Sequence, residues 1–244
     1  MIFTKQLITK FTTPSPAGES LPRFGGGRER GCCPSKTLTF NYITFVFLCV
    51  FTPVFSQNAD IQILRSINSP ETLPSDRFFQ FISNSSAFIS LGIPATMGSV
   101  GLIKNDKKLS GNACVTLTAI AVNEAVTVVL KYSVNRVRPF ITYPDITKKS
   151  KAGSPSFPSG HTSMAFATAT SLSLTYPKWY VIVPVYTWAG TVGYSRMYLG
   201  VHYPSDVLMG AIVGSGSAWV THLVNKRLNK NLYKKSRKKA CDCP

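Results

Sequence analysis

Hydrophobic residues lie in long, nearly uninterrupted stretches along this chain of 244 residues. A helix needs about 20 apolar residues to cross a bilayer, and several of the stretches fall short of that length. The breaks between them are short and polar, so neighbouring stretches are expected to pair as helical hairpins. The pattern predicts an all-α fold, namely an integral membrane helical bundle of about five to six spans with short surface helices. The apolar stretches are residues 40–55, 87–103, 109–130, 162–176, 179–194 and 207–224.

The two ends of the chain differ from its middle. Residues 1–39 are rich in Gly, Pro, Ser and Arg and lack hydrophobic periodicity, which predicts a disordered leader or a misassigned start. Residues 40–57 fit either a signal peptide or a retained first span. Residues 58–225 are expected to form the helical membrane domain, with short surface helices between 59 and 86 that Pro70 and Pro74 interrupt. Residues 226–244 form a basic tail.

Composition supports a membrane protein. Charged residues make up only 15% of the chain, whereas they reach about a quarter of a soluble domain. The net charge of +17 does not gather on one element, because the basic residues lie between apolar stretches and in the tail. We therefore expect a bilayer as partner and no nucleic acid. The six cysteines have neither the spacing of a disulfide framework nor that of a zinc site.

Loop charge predicts how the chain is oriented. The basic turn at 104–108, the break at 177–178 and the tail lie on one face and carry twelve Lys and Arg residues, against nine on the other face. Positive residues favour the cytoplasmic side of a membrane. The tail is therefore predicted in the cytoplasm, and the polar segment 131–161 on the periplasmic face of a multi-pass protein of the inner membrane.

Three polar motifs fall on that outer face: Lys131-x6-Arg138-Pro139, Pro158-Ser159-Gly160-His161, and Ser195-Arg196-x5-His202-x3-Asp206. The basic residues of these motifs suit a phosphoryl group, because its transfer requires positive charge around the equatorial oxygens. Lys131 and Arg138 are seven residues apart and would share a face of a continuous helix. Ser159 is a candidate N-cap, and Gly160 allows the backbone to approach a phosphate.

Two histidines can supply the remaining chemistry. His161, in the first turn of a helix, can donate a proton to a departing oxygen. His202 and Asp206 are one helical turn apart, with Pro204 tolerated in the first turn. Asp206 would hold one imidazole nitrogen while the other attacks phosphorus, so His202 is the predicted nucleophile.

The order and spacing of these eleven residues resemble the type 2 phosphatidic acid phosphatase superfamily, which includes lipid phosphate phosphatases, soluble acid phosphatases and vanadium haloperoxidases. The resemblance implies a membrane lipid phosphate phosphatase, a hydrolase that works through a phosphohistidine. It assigns catalysis to His202, His161 and Asp206, and phosphate binding to Lys131, Arg138, Ser159, Gly160 and Arg196. No metal or other cofactor is expected, so activity should survive chelation.

Alternatives remain at several points. A soluble periplasmic acid phosphatase, a vanadium haloperoxidase and an inactive scaffold are the rival functions; the apolar hairpins, the short chain and the intact motifs disfavour them in turn. Glu124 is either a structural ion-pair partner of Lys131 or a functional residue. The loop 148–151 either selects an anionic head group or is simply flexible. Phosphatidic acid, phosphatidylglycerol phosphate, an isoprenyl diphosphate and lipid A all fit as substrates, and the sequence does not predict an oligomeric state.

Overall fold

The computed structural model describes residues 57–241, with side chains for residues 58–230. The predicted leader at 1–39 and the apolar stretch at 40–55, interpreted as a signal peptide or a first span, lie outside the described residues.

Helices make up nearly all of the regular structure in the described segment, and it contains no strand. The all-α prediction is therefore confirmed. The helices, in chain order, are α1 (Gln57–Ile67), α2 (Ser75–Ile103), α3 (Lys107–Val134), α4 (Pro139–Thr142), α5 (Gly160–Thr175), α6 (Trp179–Tyr198) and α7 (Pro204–Cys241).

Within the described residues, three segments are long and apolar enough to cross a membrane: Ser75–Ile103, Lys107–Thr142, which comprises α3 and α4, and Pro204–Lys230 of α7. Their outward surfaces carry large apolar side chains, such as Phe88, Leu102 and Ile103, which are 77–84% exposed. Large contiguous apolar surfaces are rare on soluble monomers, whereas lipid tails cover them in a membrane. The predicted membrane bundle is confirmed by these features.

Helix α5 forms the centre of the bundle and packs against α2, α3, α6 and α7. It has 16 residues, and most of its buried side chains are Ala, Ser or Thr. Small residues let helices approach closely. The closest approach is at Gly214 of α7, where an added Cβ would lie 2.1 Å from the carbonyl oxygen of Ser163.

Two predicted helix boundaries are wrong. Helix α2 begins at Ser75, twelve residues before the predicted apolar span, and includes residues 75–86 of the segment expected to form short surface helices. Helix α3 ends at Val134, because Asn135 takes a left-handed conformation with φ 49°. Arg138 has extended backbone, so it does not share a continuous helix with Lys131. The breaks at 104–106 and 176–178 agree with prediction.

Candidate active site

The three motifs meet at one end of the bundle, where α3 and α6 end and α2, α5 and α7 begin. A cavity of about 340 Å³ opens between them. Six of the eight predicted site residues line this catalytic cavity: Lys131, Arg138, Gly160, His161, Arg196 and His202. The other two, Ser159 and Asp206, are completely buried behind its wall.

A tight turn between α6 and α7 positions His202. Gly200 has φ 68°, and an added Cβ there would lie 2.4 Å from the carbonyl oxygen of Thr147, so this turn favours glycine. Helix α7 then begins at Pro204, which places His202 before the helix. The prediction that His202 and Asp206 lie on one helix is therefore wrong, although the turn still directs the imidazole towards the carboxylate.

The two ring nitrogens of His202 face different surroundings. Nδ1 lies 3.6 Å from Oδ2 of Asp206 and has no closer hydrogen-bond partner among the described residues. Nε2 lies 3.5 Å from Nη1 of Arg138, at the wall of the cavity. Burial lowers the pKa of the imidazole to about 4, although the Asp206 carboxylate opposes that shift. The ring is therefore neutral at neutral pH, as a nitrogen nucleophile must be.

Asp206 is held by hydrogen bonds to both of its carboxylate oxygens. Oδ2 accepts hydrogen bonds from the Ser156 hydroxyl at 2.5 Å and from the Tyr203 backbone N–H at 3.0 Å. Oδ1 accepts one from Nη1 of Arg136 at 2.7 Å. A carboxylate fixed in this way presents its charge to the imidazole in one orientation.

Arg136 lies at the site although it is not one of the eleven motif residues: it occupies an unspecified position between Lys131 and Arg138. Its guanidinium bridges two buried carboxylates, donating to Asp206 and also to Oδ2 of Asp60 at 3.0 Å. Its guanidinium carbon lies 4.0 Å from the centre of the Tyr203 ring. Asp60, on α1, also accepts hydrogen bonds from the backbone N–H and the hydroxyl of Ser205. Sequence reasoning counted Arg136 only as loop charge, and a basic residue two positions before Arg138 was the one signal available.

Lys131 and Arg138 fix the loop that crosses the mouth of the cavity. Nζ of Lys131 donates to the carbonyl oxygen of Pro155 at 2.8 Å. Arg138 donates through Nε to the carbonyl oxygen of Ser154 at 2.7 Å and through Nη1 to that of Val201 at 2.9 Å. Both side chains are almost fully buried, so two positive charges are held rigidly at the wall where His202 lies.

Arg196 enters the cavity from α6 and is 2% exposed. Its Nη1 donates to the Ser83 hydroxyl of α2 at 2.5 Å, while its Nε has no hydrogen-bond partner among the described residues. Ser83 is therefore a second residue that sequence reasoning missed, because nothing in its neighbourhood marks it out. A buried N–H without a partner carries a desolvation cost that an anionic ligand would remove.

The start of α5 forms the remaining wall. Ser159 is its N-cap, as predicted, but the hydroxyl makes no capping hydrogen bond and lies 2.9 Å from the Thr162 hydroxyl instead. Gly160 and His161 follow in the first turn, where backbone N–H groups have no partner within the helix. This end of a helix favours anions through its free N–H groups and its dipole.

Glu124 lines the same cavity, two helical turns before Lys131. It forms no ion pair among the described residues, and its Oε1 lies 3.3 Å from the amide nitrogen of Asn123. The predicted structural ion pair with Lys131 is therefore not formed. Among the cavity-lining residues, Glu124 is the one acid.

A second cavity of about 470 Å³ adjoins the first. The two cavities share the side chains of Lys151, His161 and Arg196. No group of three or more His, Cys, Asp and Glu side chains within the described residues is placed to hold a metal ion. Positive charge in the catalytic cavity is supplied by Lys and Arg, together with the helix N-terminus.

Known proteins resemble this arrangement. Residues 112–230 match the PAP2 superfamily. Undecaprenyl-diphosphatase of Sulfolobus acidocaldarius is 40% identical over 96 residues, which are 39% of this chain and 45% of that protein. Lipid A 4'-phosphatase of Bacteroides thetaiotaomicron is 33% identical over 87 residues, 36% of this chain and 39% of that protein. The chain thus aligns with less than half of each relative.

One solved structure extends the likeness to the fold. The crystal structure of the transmembrane PAP2-type phosphatidylglycerolphosphate phosphatase from Bacillus subtilis superposes with a TM-score of 0.64, covering 78% of this chain and 96% of the other. Its sequence is 23% identical, so it supports the helical membrane fold alone. Residues 112–230, which contain all three motifs, therefore match a PAP2 superfamily domain.

Proposed function

We propose that this chain is a membrane phosphatase that removes a phosphate from a lipid through a phosphohistidine intermediate on His202. One observation carries the proposal: Nε2 of His202 faces a cavity lined by Lys131, Arg138 and Arg196, while Nδ1 faces Asp206. A neutral imidazole with a fixed proton on Nδ1 has its lone pair on Nε2, directed at the place where three cations can hold a phosphoryl group.

In the first step, Nε2 attacks phosphorus and the bond from phosphorus to the leaving oxygen breaks. Lys131, Arg138 and Arg196 stabilise the charge on the equatorial oxygens, together with N–H groups at the start of α5. Asp206 stabilises the imidazolium that forms. His161, which also lines the cavity, takes up a proton when the anionic substrate binds beside it and donates this proton to the leaving oxygen, and the dephosphorylated lipid departs.

In the second step, a water molecule attacks the phosphohistidine. His161 now lacks the proton that it gave away, so it accepts one from the water as the P–O bond forms. The P–N bond breaks, inorganic phosphate leaves, and His202 returns to its neutral state. Every proton in this cycle moves through His161, and the cations change only the stability of the charged intermediates.

A lipid substrate is supported by two features. The described helices expose apolar surface suited to a bilayer, so the cavity would lie beside lipid molecules. The relatives act on undecaprenyl diphosphate and on lipid A, as their names state.

Loop charge favours an active site on the extracytoplasmic side and a cytoplasmic tail. A reporter domain fused after residue 244 should therefore be active only in the cytoplasm; activity outside would reverse the orientation.

The function is tested with purified protein in detergent and four lipids: phosphatidic acid, phosphatidylglycerol phosphate, an isoprenyl diphosphate and lipid A. The intact protein should release inorganic phosphate from at least one of them, and His202→Gln should release none while its purification and melting temperature stay unchanged. Arg77→Gln, an exposed substitution near the start of α2, is the control and should retain full activity. Full activity of His202→Gln would contradict the proposal.

A further inference from the structure

The second cavity lies beside the catalytic one and is lined by polar and basic side chains. It is lined by Gln80 and Asn84 of α2, by Lys149, Ser150 and Lys151 of the loop before α5, and by His161 and Arg196. The last two residues belong to the proposed reaction, so anything bound in the second cavity touches the groups that bind phosphate and protonate the leaving group.

The charges around the second cavity have one sign. Lysine, arginine, histidine, two carboxamides and a hydroxyl line it, and no carboxylate does. Lys149 is neutralised, since its Nζ lies 3.0 Å from Oδ1 of Asp76. Lys151 is exposed and forms no ion pair among the described residues. Arg196 adds the buried Nε that lacks a hydrogen-bond partner. Such a lining attracts an anion.

The far side of the catalytic cavity has no basic side chain and carries one acid. Below the level of Lys131 and His161 it is lined by Ser86, Ala87, Met164 and the acid Glu124. A second negative charge on the substrate would be repelled by Glu124 on this side, whereas it would be attracted on the side of the second cavity.

We infer that the second cavity binds a negatively charged group that remains on the leaving lipid after its terminal phosphate has been removed. The substrate would then be a lipid with two phosphates close together: one is transferred to His202 and the other, a phosphodiester or the inner phosphate of a diphosphate, stays with the lipid. The inference rests on the proposed function and narrows its substrate class. His161 lies at the junction of the cavities, where the bond between the two parts breaks.

Three substrates test this inference in mixed detergent micelles. Phosphatidic acid has a neutral leaving group, phosphatidylglycerol phosphate leaves with a phosphodiester, and farnesyl diphosphate leaves with a monophosphate. The intact protein should show a higher kcat/KM for at least one of the last two than for phosphatidic acid. The substrate that is preferred identifies whether the retained anion is a diester or a monoester.

Asn84→Asp adds a negative charge to the second cavity without a change of volume. It should lower the ratio of kcat/KM for the preferred substrate to that for phosphatidic acid by about tenfold, the effect of one unit charge a few ångströms from an anion. Lys151→Gln should lower the same ratio several-fold. Asn229→Asp is the matched control, because it makes the same change at an exposed position of α7 far along the helix from the cavity, and should leave the ratio unchanged.

Each outcome separates the inference from the function on which it rests. Phosphate release with equal kcat/KM for all three substrates, or an unchanged ratio in both variants, overturns the inference and leaves the phosphatase intact. A uniform loss on all three substrates also overturns it, because the charge would then act on the catalytic centre alone. No phosphate release from any lipid by the intact protein overturns both.

Discussion

Arg136 links Asp206, the carboxylate beside His202, to a helix outside the three motifs. Its guanidinium lies 2.7 Å from Asp206 and 3.0 Å from Asp60 of α1. Arginine suits this place because its planar fork can serve two carboxylates at once, which an ammonium group does less well. We interpret Arg136 as a positioning residue that fixes Asp206 and offsets part of its charge.

Arg136→Gln should therefore lower kcat by roughly ten- to hundredfold through misplacement of the Asp206–His202 pair. KM should change less than threefold, since Arg136 does not line the catalytic cavity. Arg136→Lys, which keeps one cation, should recover part of the lost kcat. Steady-state phosphate release measures all three values, and an unchanged kcat in Arg136→Gln would exclude the positioning role.

A second prediction for a single residue concerns the pH at which the imidazole of His202 is protonated. Burial lowers the pKa of its imidazole to about 4, from the usual value near 6.5. The neutral form therefore predominates as pH falls from 8 to 5, and half of the rings are protonated at about pH 4. The chain has three histidines, so the His202 resonance of the labelled, detergent-solubilised protein can be assigned by its absence in His202→Gln. A midpoint near pH 6.5 for that resonance would contradict this account.

Residue spacing predicts part of the lining of the candidate site. Phosphate chemistry requires cations and histidines in a recognisable order, so the sequence predicts all six motif residues that line the cavity. Asp60, Ser83 and Arg136 could not be chosen in that way. Asp60 lies 145 residues before its partner Ser205, and such a contact depends on the path of the whole chain.

Among the contacts between helices, the packing of α5 against α7 most affects the site, because α5 supplies His161 and α7 supplies Asp206. Gly214→Ala would place a Cβ 2.1 Å from the Ser163 carbonyl oxygen, so the helices would have to separate. Overpacking of this kind costs about 1–3 kcal/mol.

Gly214→Ala should accordingly lower the melting temperature in detergent by several degrees and reduce kcat. Gly216→Ala is the matched control, since an added Cβ there meets nothing within 4 Å. It should leave the melting temperature unchanged or slightly raised, because alanine favours helix over glycine. Equal melting temperatures for the two variants would show that the close approach at Gly214 is not required.

Helix boundaries were harder to predict than helices. The apolar stretches predict every described helix that spans the bundle. The first twelve residues of α2 contain polar side chains, so hydropathy does not indicate a span there. Several of those polar side chains are satisfied by distant partners: Asp76 accepts a hydrogen bond from the hydroxyl of Tyr198 at 2.9 Å. Local hydropathy does not detect such tertiary partners. A pattern based on spacing likewise does not predict that α3 ends at Val134, because the left-handed conformation of Asn135 leaves no trace in hydropathy.

At the scale of the whole molecule, Lys, Arg and a helix N-terminus supply the positive charge that a metal ion supplies in many phosphatases. We therefore expect kcat/KM for a lipid phosphate to be unchanged after dialysis against EDTA and insensitive to added magnesium. The measurement compares phosphate release before and after dialysis. Loss of activity in the chelator that magnesium restores would contradict this expectation.

The central claim is covalent transfer of phosphate to His202, and trapping the intermediate tests it most directly. Protein mixed with a ³²P-labelled lipid phosphate, quenched within milliseconds in alkali and digested, should yield one labelled peptide that contains His202. The label should be stable to alkali, released by acid, and absent in His202→Gln. His161→Gln should accumulate more label when the leaving group needs no proton, because hydrolysis of the intermediate is slowed. Rapid phosphate release by the intact protein with no label on His202 at any time would contradict the account.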